Sequence, residues 1–291
     1  MTVHPRMTSS IVLTITCPDR TGIVANVATH LASQGAFITE SSHFGDPDTG
    51  RFFMRTVFNF DAGISPSIGP LSESFVSIAQ RFEMQFSFML TSARPRVVVA
   101  VSKAGHCLNH LLHQWQSEEL PIDIVGVVSN HEDLRRFVDW YNIPYHYLPI
   151  ESGGKEAQEK RILEVMRVAD AELLVLARYM QILSDGMSQA LSGRCINIHH
   201  SFLPSFKGAK PYHQAHARGV KVIGATAHYV TGDLDEGPII EQETSRVDHA
   251  MPPEEFVRIG KDIENVVLAR AVRWHAQRRL LINGRKTVVF K

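Results

Sequence analysis

Two polar side chains with catalytic potential stand two residues apart in the segment CINIHHSFLPSFKGAKPYHQAHARG. The first residues of this segment predict a strand, on which side chains two apart point to the same side. Asn197 and His199 therefore share one face with Cys195. An amide and an imidazole that converge on one point are donors that stabilise a developing oxyanion. The spacing predicts an oxyanion site at the end of this strand.

A carboxylate that could complete such a site stands in the Gly-flanked segment TGDLDEGPIIEQ, which we expect to form a loop. The acidic residues at its centre are Asp233, Asp235 and Glu236. An aspartate beside the imidazole can hold it, orient a water and accept the proton of that water. The segment alone leaves open which acid does this.

Three other interpretations compete with catalysis. A structural one makes Asn197 a turn cap and the histidines satisfied core or surface groups. A metal site would use histidines from the set His199, His200, His213, His216 and His228. However, HQAH is only an i, i+3 pair and no Cys or Glu spacing completes a zinc site, so we expect no metal. A nucleophilic Cys195 is disfavoured, because a lone cysteine within an apolar strand is usually a small core residue.

The composition excludes several classes of protein. Lys plus Arg and Asp plus Glu both number 30, so no global basic field exists to hold nucleic acid. The 3 cysteines are few and far apart, which disfavours a disulfide framework and indicates a reducing compartment. No signal-peptide run is visible, and no stretch approaches the roughly 18 apolar residues of a membrane span. We expect a cytoplasmic protein that binds neither nucleic acid nor membrane.

The N-terminal third of the chain predicts the element order βαββαβ between about Ser9 and Thr91. SSIVLTITCPDR is a β-branched run, and DRTGIVANVATHLASQG carries apolar residues at helical spacing. The turn DPDTG joins two alternating strands, and a helix and a strand follow in SIGPLSESFVSIAQRFE and MQFSFMLTS. This order is that of a ferredoxin-like unit.

Beyond the short polar stretch SARPR, apolar β-rich runs alternate with helical segments such as HEDLRRFVDWY. The alternation predicts an α/β fold with a mostly parallel, Rossmann-like sheet. The predicted division is a first domain over 1–91, a linker over 92–96 and a second domain over 97–291. Ligands of open parallel sheets bind beyond the carboxyl ends of the strands, which is where Asn197 and His199 fall.

The segment INIHHSFLPSFKGAKPYHQAHARGVKVIGATAHYVTGDLDEGPII resembles the signature of the folate-dependent formyltransferases. That family carries an Asn-Ile-His-x-Ser-x-Leu-Pro strand and loop, a G-x-T-x-H strand and a D-x-G-P-I-I loop. The resemblance implies a formyltransferase fold in which Asn197 and His199 are the catalytic amide and imidazole and Asp235 is the catalytic acid. It further implies a 10-formyltetrahydrofolate substrate, with no cofactor and no metal.

The segment RYMQILS resembles the family segment whose backbone grips the folate pterin. The folate-binding residues that the resemblance implies are Arg178, Met180, Gln181, Ile182, Leu183, His228 and Gly232. Two departures separate this chain from the transferases. VSKAGHCLNHLL lacks the glycine-rich phosphate loop of the glycinamide ribonucleotide transferases, and His200 stands where the transferases usually have proline. The neutral charge also disfavours a tRNA substrate.

The segment TCPDRTGIVANVATHLASQGAFI resembles an ACT domain, an amino-acid-sensing module. An ACT domain followed by a formyltransferase-like domain resembles the architecture of the formyltetrahydrofolate deformylases. That resemblance implies hydrolysis of 10-formyltetrahydrofolate to formate and tetrahydrofolate, within one-carbon metabolism and purine biosynthesis. Two alternatives stay open: a formyltransferase with a small amine acceptor, and a non-catalytic folate or amino-acid sensor.

The strand-to-helix turn PDRTGI predicts an effector site at Asp19, Thr21, Gly22 and Ile23. Free backbone N–H groups at a helix N-terminus attract a carboxylate. We expect Asp19 to cap the helix and Gly22 to let a ligand approach the backbone. The resemblance implies a homo-oligomer, with glycine or methionine as the amino-acid effector.

Overall fold

The computed structural model describes residues 10–60, 67–150, 154–202 and 211–291, which form two compact units. One unit contains the described residues up to Ala93 with Gln277–Asn283 and Val288–Lys291, and the other contains Arg94–Ala276 with Gly284–Thr287. The first break lies within the predicted linker, whereas the sequence assigned all of 97–291 to the second domain. None of the described helices has the length and apolar character needed to cross a membrane.

The N-terminal unit has the predicted element order βαββαβ. Its strands are β1 (Ile11–Pro18), β2 (Phe37–Asp46), β3 (Arg51–Asn59) and β4 (Gln85–Leu90), and its helices are α1 (Ile23–Ser33) and α2 (Ile68–Phe82). The sheet order is β2-β3-β1-β4, and every pair is antiparallel. Phe75 packs edge-on against Phe86 and Phe88, with ring centroids 4.9 and 5.5 Å apart. Burial of these rings from water is a main source of this unit's stability.

The second unit is built on a seven-stranded sheet. Its strands are β5 (Arg96–Val101), β6 (Asp123–Ser129), β7 (Tyr145–Tyr147), β8 (Leu173–Leu176), β9 (Cys195–His199), β10 (Val222–Tyr229) and β11 (Ile239–Arg246). Their order is β11-β10-β9-β8-β5-β6-β7. The pairs among β5 to β9 are parallel, whereas β10 is antiparallel to both of its neighbours. The mostly parallel sheet is therefore confirmed.

The helices of the second unit are α3 (His106–Gln116), α4 (Arg135–Asp139), α5 (Gly154–Val168), α6 (Asp185–Ala190), α7 (Pro211–Ala217) and α8 (Pro253–Ala276). A final hairpin pairs β12 (Leu280–Asn283) with β13 (Lys286–Val289). The helix predicted in HEDLRRFVDWY is shorter in the structure, where only α4 is helical. The short elements β7 and α6 were not predicted, and a loop was predicted where β11 begins. As the outermost strand, β11 tolerates the polar residues that resemble a loop.

Candidate active site

A cleft opens beside the carboxyl ends of β8 and β9 in the second unit. Each residue predicted to be catalytic lines it, namely Asn197, His199 and Asp235. The residues predicted to bind folate also line it: Arg178, Met180, Gln181, Ile182, Leu183, His228 and Gly232. His200, to which the sequence assigned no catalytic role, lies in the same cleft. The structure thus brings residues from three separate segments of the chain to one place.

Asn197 is oriented by His228 on the neighbouring strand, which it faces in the β9–β10 pair. His228 Nδ1 lies 2.9 Å from the Tyr229 carbonyl oxygen, which can only accept, so Nδ1 carries the proton. Burial lowers the pKa of His228, and the neutral ring leaves Nε2 to accept a hydrogen bond from Asn197 Nδ2 at 3.3 Å. The second N–H of Asn197 remains available to a ligand.

His199 engages Asp235 through one ring nitrogen. Its Nδ1 lies 3.3 Å from Asp235 Oδ1. Its Nε2 is buried and has no hydrogen-bond partner among the described residues. An unpaired buried polar atom is costly, and because His199 lines the cleft, a ligand bound there could offset this cost. Asn197 and His199 therefore both offer a nitrogen to the cleft, as the strand spacing predicts.

Asp235 is held in an unusual loop. Its φ of 58° lies in the left-handed region, which is strained for a residue other than glycine and is often found at functional sites. A Cβ at Gly237 would lie 1.7 Å from the Tyr229 carbonyl oxygen, so only glycine lets the loop pass this close to β10. Burial alone raises the pKa of Asp235, but the hydrogen bond and charge of His199 and the charges of the neighbouring histidines outweigh it and lower the pKa. The carboxylate can therefore stabilise positive charge on His199.

The loop after β8 is held at both ends by hydrogen bonds to side chains of other elements. The Met180 N–H donates to Ser102 Oγ at 3.0 Å, and the Ser184 N–H donates to Glu159 Oε1 at 2.7 Å. Between these anchors, the amides of residues 181–183 make no hydrogen bond to any described residue. Open backbone groups beside apolar side chains suit a flat ring that both stacks and hydrogen-bonds.

Comparison with known proteins identifies the family. Residues 95–272 match the family model described as formyl transferase. Formyltetrahydrofolate deformylase of Bacillus subtilis is 48% identical over 279 residues, which cover 96% of this chain and 93% of that protein. A crystal structure of formyltetrahydrofolate deformylase from Burkholderia mallei is 49% identical, with a TM-score of 0.93 over 97% of this chain and 100% of that one. The chain belongs to the formyltetrahydrofolate deformylase family.

A second solved member of this family, from Pseudomonas syringae, is 47% identical, with a TM-score of 0.94 over 98% of this chain and 95% of that one. These comparisons confirm the family resemblance that the sequence motifs carried. The agreement extends over both units of the chain, and the roles of individual residues rest on the geometry of the cleft.

A second polar cluster of this family member surrounds Glu264, which is fully buried in α8. Its carboxylate accepts hydrogen bonds from His106 Nε2 and from the Tyr212 hydroxyl, both at 2.8 Å. Arg178 Nε lies 3.5 Å from Glu264 Oε2. Burial raises the pKa of Glu264, but the bond from His106 and the charge of Arg178 outweigh it and hold the pKa below its ordinary value. We term His106, Arg178, Tyr212 and Glu264 the Glu264 cluster.

One group in the described part of the chain has donor atoms close enough for a metal: His106, Cys107 and Glu264, within 4.8 Å of one another. The Glu264 carboxylate is already engaged by His106 and Tyr212. Burial raises the pKa of Cys107 well above its ordinary value, so its thiol is neutral. A cation would have to displace these donors beside a guanidinium, so the group fits a structural network better than a metal site.

The histidines of the metal interpretation do not assemble into one site. His199, His200 and His228 line the cleft, whereas His213 is exposed on α7. The His216 ring packs edge-on against the Phe256 ring, with centroids 5.2 Å apart. Cys195 is 0% exposed and burial raises its pKa, so it is a core residue, as its apolar surroundings predict.

The predicted effector segment lies at the amino end of α1, in the N-terminal unit. The prediction that Asp19 caps this helix was wrong, because Gly22 occupies the cap position and no side chain caps it. The Asp19 carboxylate instead lies against Gly45, where a Cβ would be 2.4 Å from Oδ2. The first amides of the helix make no hydrogen bond to any described residue. Thr21 is exposed and the Ile23 side chain is buried, so only the backbone of Ile23 could meet a ligand.

Proposed function

We propose that the cleft hydrolyses 10-formyltetrahydrofolate to formate and tetrahydrofolate. The observation that carries this proposal is that, among the described residues, His199 Nε2 is buried without a partner and Asn197 Nδ2 has a second N–H, with the Asp235 carboxylate at Nδ1 of the His199 ring. This arrangement matches what a tetrahedral intermediate at a formyl carbon requires, which is donors that meet its oxyanion. The names of the relatives agree with this reaction.

In the proposed reaction, the formyl oxygen faces Asn197 Nδ2 and His199 Nε2, and a water attacks the formyl carbon. Asp235 orients this water and accepts its proton. The carboxylate also stabilises the imidazolium of His199, which can then protonate the leaving nitrogen of the folate. The folate pterin lies against the open backbone of residues 181–183, between Arg178 and the side of the cleft that contains His228 and Gly232.

The proposed reaction uses side chains alone and needs no cofactor and no metal. We further propose that the N-terminal unit is an ACT domain that joins copies of the chain into a homo-oligomer. In this proposal glycine or methionine binds at the amino end of α1, where the first amides make no hydrogen bond to any described residue. A cytoplasmic location is consistent with the three free cysteines, all of which are buried.

The deciding experiment is to incubate the purified protein with 10-formyltetrahydrofolate in buffer that contains no amine. We expect equal amounts of formate and tetrahydrofolate to appear. Formyl transfer that begins only when a small amine is added would instead identify a transferase. Tight folate binding without turnover in either condition would identify a sensor.

A further inference from the structure

His200 follows the last residue of β9 and lines the cleft beside the catalytic groups proposed above. Its ring stacks on the His199 ring, with centroids 5.1 Å apart and an angle of 27° between the planes. No hydrogen bond joins the His200 ring to another residue in the part of the chain that the structure describes. We propose that His200 positions the attacking water by accepting a hydrogen bond from it. This inference rests on the proposed hydrolysis.

The surroundings of His200 keep its ring neutral. Burial lowers the pKa of His200 to about 4, and the nearby charges of Arg178 and His199 act in the same direction. The charges of Glu264, from α8, and Asp235, from the loop after β10, oppose this shift only in part. A neutral imidazole has one nitrogen that accepts a hydrogen bond, whereas an imidazolium has none. His200 is therefore an acceptor at neutral pH.

The two hydrogen atoms of the water then have separate acceptors. One is held by His200 and stays on the oxygen. The other passes to Asp235 as the new bond between oxygen and the formyl carbon forms. When the bond from carbon to the folate nitrogen breaks, the charged His199 gives that nitrogen its Nε2 proton and keeps the proton on Nδ1. After the products leave, Asp235 loses its proton to solvent and His199 Nε2 takes one up from solvent, which restores the starting state. The products are tetrahydrofolate and formic acid, which ionises to formate.

Water depends on such positioning more than a larger nucleophile does. It is small and has no other group with which to bind the cleft, so its orientation depends on the atoms that accept its hydrogen atoms. Hydroxylamine is uncharged near neutral pH and attacks formyl groups strongly without the help of a base. Loss of His200 is therefore expected to impair hydrolysis selectively.

The test measures two products from 10-formyltetrahydrofolate: formate in buffer, and formohydroxamate with hydroxylamine, each above the background without protein. For His200→Ala we expect kcat for formate to fall by about 10- to 100-fold with KM little changed, the scale of a misplaced reactant. Formohydroxamate formation should stay near the wild-type rate. His200→Gln supplies an amide oxygen as acceptor and should recover most of the hydrolysis.

The matched control is His213→Ala, which removes an exposed histidine of the second unit and should change neither product. Wild-type hydrolysis by His200→Ala, or an equal fall of both products, would overturn the role of His200 in holding water. Failure of His200→Gln to exceed His200→Ala would do the same. Absence of formate from the wild-type protein would overturn the proposed hydrolysis itself, and the two failures are thus distinguishable.

Discussion

The second unit contains two buried polar clusters that differ in how far their groups are satisfied. In the Glu264 cluster, both carboxylate oxygens accept hydrogen bonds within the protein, from His106 and Tyr212. In the cleft, His199 Nε2 has no hydrogen-bond partner among the described residues. Asn197 Nδ2 uses one N–H to bond His228, and its second N–H makes no hydrogen bond to these residues. A satisfied network stabilises a fold, whereas unsatisfied groups are costly unless a ligand completes them.

Arg178 belongs to both clusters. It lines the cleft, and its Nε faces Glu264 at 3.5 Å but makes no hydrogen bond to any described residue. Its backbone is left-handed, with φ of 65°, as is that of Asp235 with φ of 58°. Such strain persists only where the surroundings impose it. The engaged Glu264 carboxylate therefore supports the open groups of the cleft through the loop that carries Arg178. A variant of the catalytic groups should lose chemistry, whereas a variant of Glu264 should lose stability.

The largest effect is expected at the cleft. Asp235→Asn keeps the shape of the side chain but removes the negative charge behind His199. We expect kcat for formate release to fall by about two to four orders of magnitude, a typical general-base contribution, with folate binding little changed. Stopped-flow or formate assays and a folate-binding titration check this.

Two neighbouring acids provide the controls for Asp235→Asn. Asp233 and Glu236 are exposed in the same loop, and Glu236 pairs with Arg285 at 2.9 Å. Asp233→Asn and Glu236→Gln should keep nearly normal turnover, which would decide among the three acids that the sequence left open. Near-normal turnover of folded Asp235→Asn would remove the proposed role.

The Glu264 cluster should respond in stability more than in the chemical step. Glu264→Gln removes a buried charge and leaves Arg178 without its counter-ion. Breaking a buried pair in this way costs about 3–5 kcal/mol of unfolding free energy. The 3 tryptophans (Trp115, Trp140 and Trp274) all lie in the second unit, so their fluorescence in urea reports its unfolding. Glu254→Gln, at an exposed position of the same helix, should leave the midpoint unchanged.

The two clusters also differ in how far the sequence predicts them. Asn197 and His199 lie two apart on one strand, so local spacing predicts that they share a face. The Glu264 cluster joins residues from α3, the loop after β8, α7 and α8, and no local spacing relates them. The available signal is Glu264 itself, an acid four residues from Gly260 and from Leu268 on the buried stripe of α8. Its partners follow only from tertiary packing.

Other sequence-based predictions were wrong or incomplete for a similar reason, which is that they depend on tertiary structure. The order of helices and strands was predictable because hydrophobic periodicity and turn residues are local features of the sequence. The cap of α1 was wrongly assigned to Asp19, because the backbone at Gly22, with φ of 95°, sets where the helix begins. The sequence marks His200 as a departure from the transferases and as a candidate metal ligand but assigns it no catalytic role, since a histidine next to a catalytic one carries no spacing signal of its own. Its proposed role rests on its place in the cleft and on the stacked rings.

The free energy of unfolding should depend on pH because the fold keeps buried histidines neutral. Burial lowers the pKa of His200 to about 4, and it also lowers that of His228. At pH values between such a lowered pKa and the ordinary pKa of histidine, the unfolded chain binds more protons than the folded chain. The free energy of unfolding therefore falls as pH falls. We expect a loss of roughly 2 kcal/mol for His200 between about pH 6.5 and pH 5, at about 1.4 kcal/mol per unit.

Urea midpoints from tryptophan fluorescence across this pH range measure the loss. The acids of lowered pKa, Asp235 and Glu264, lose their protecting charge only at still lower pH, so this window isolates the histidines. His200→Gln should have a shallower pH dependence than the wild type. Equal slopes for the two proteins would show that His200 is not held neutral.

The amino end of α1, in the N-terminal unit, provides a third set of donors, which are backbone amides without a hydrogen bond to any described residue. If these amides bind the carboxylate of glycine or methionine, Gly22→Val should weaken binding by about tenfold or more, since the side chain would block the approach. Gly35→Val is the matched control, because Gly35 also has a left-handed backbone, with φ of 76°, at the other end of the helix. Calorimetry, turnover and light scattering follow binding, regulation and oligomer size. No heat with either amino acid would leave the unit a structural module.

The smallest effect is expected from chelation, which tests whether the Glu264 cluster is satisfied without a metal. The donors on its carboxylate occupy the positions that a cation would need, and Arg178 adds a repelling charge. Exhaustive treatment with a chelator should therefore change neither formate release nor the urea midpoint. A lower midpoint that zinc restores would identify His106, Cys107 and Glu264 as metal ligands. Lost turnover at an unchanged midpoint would instead point to the histidines of the cleft, and either result would end the contrast between a satisfied cluster and an open one.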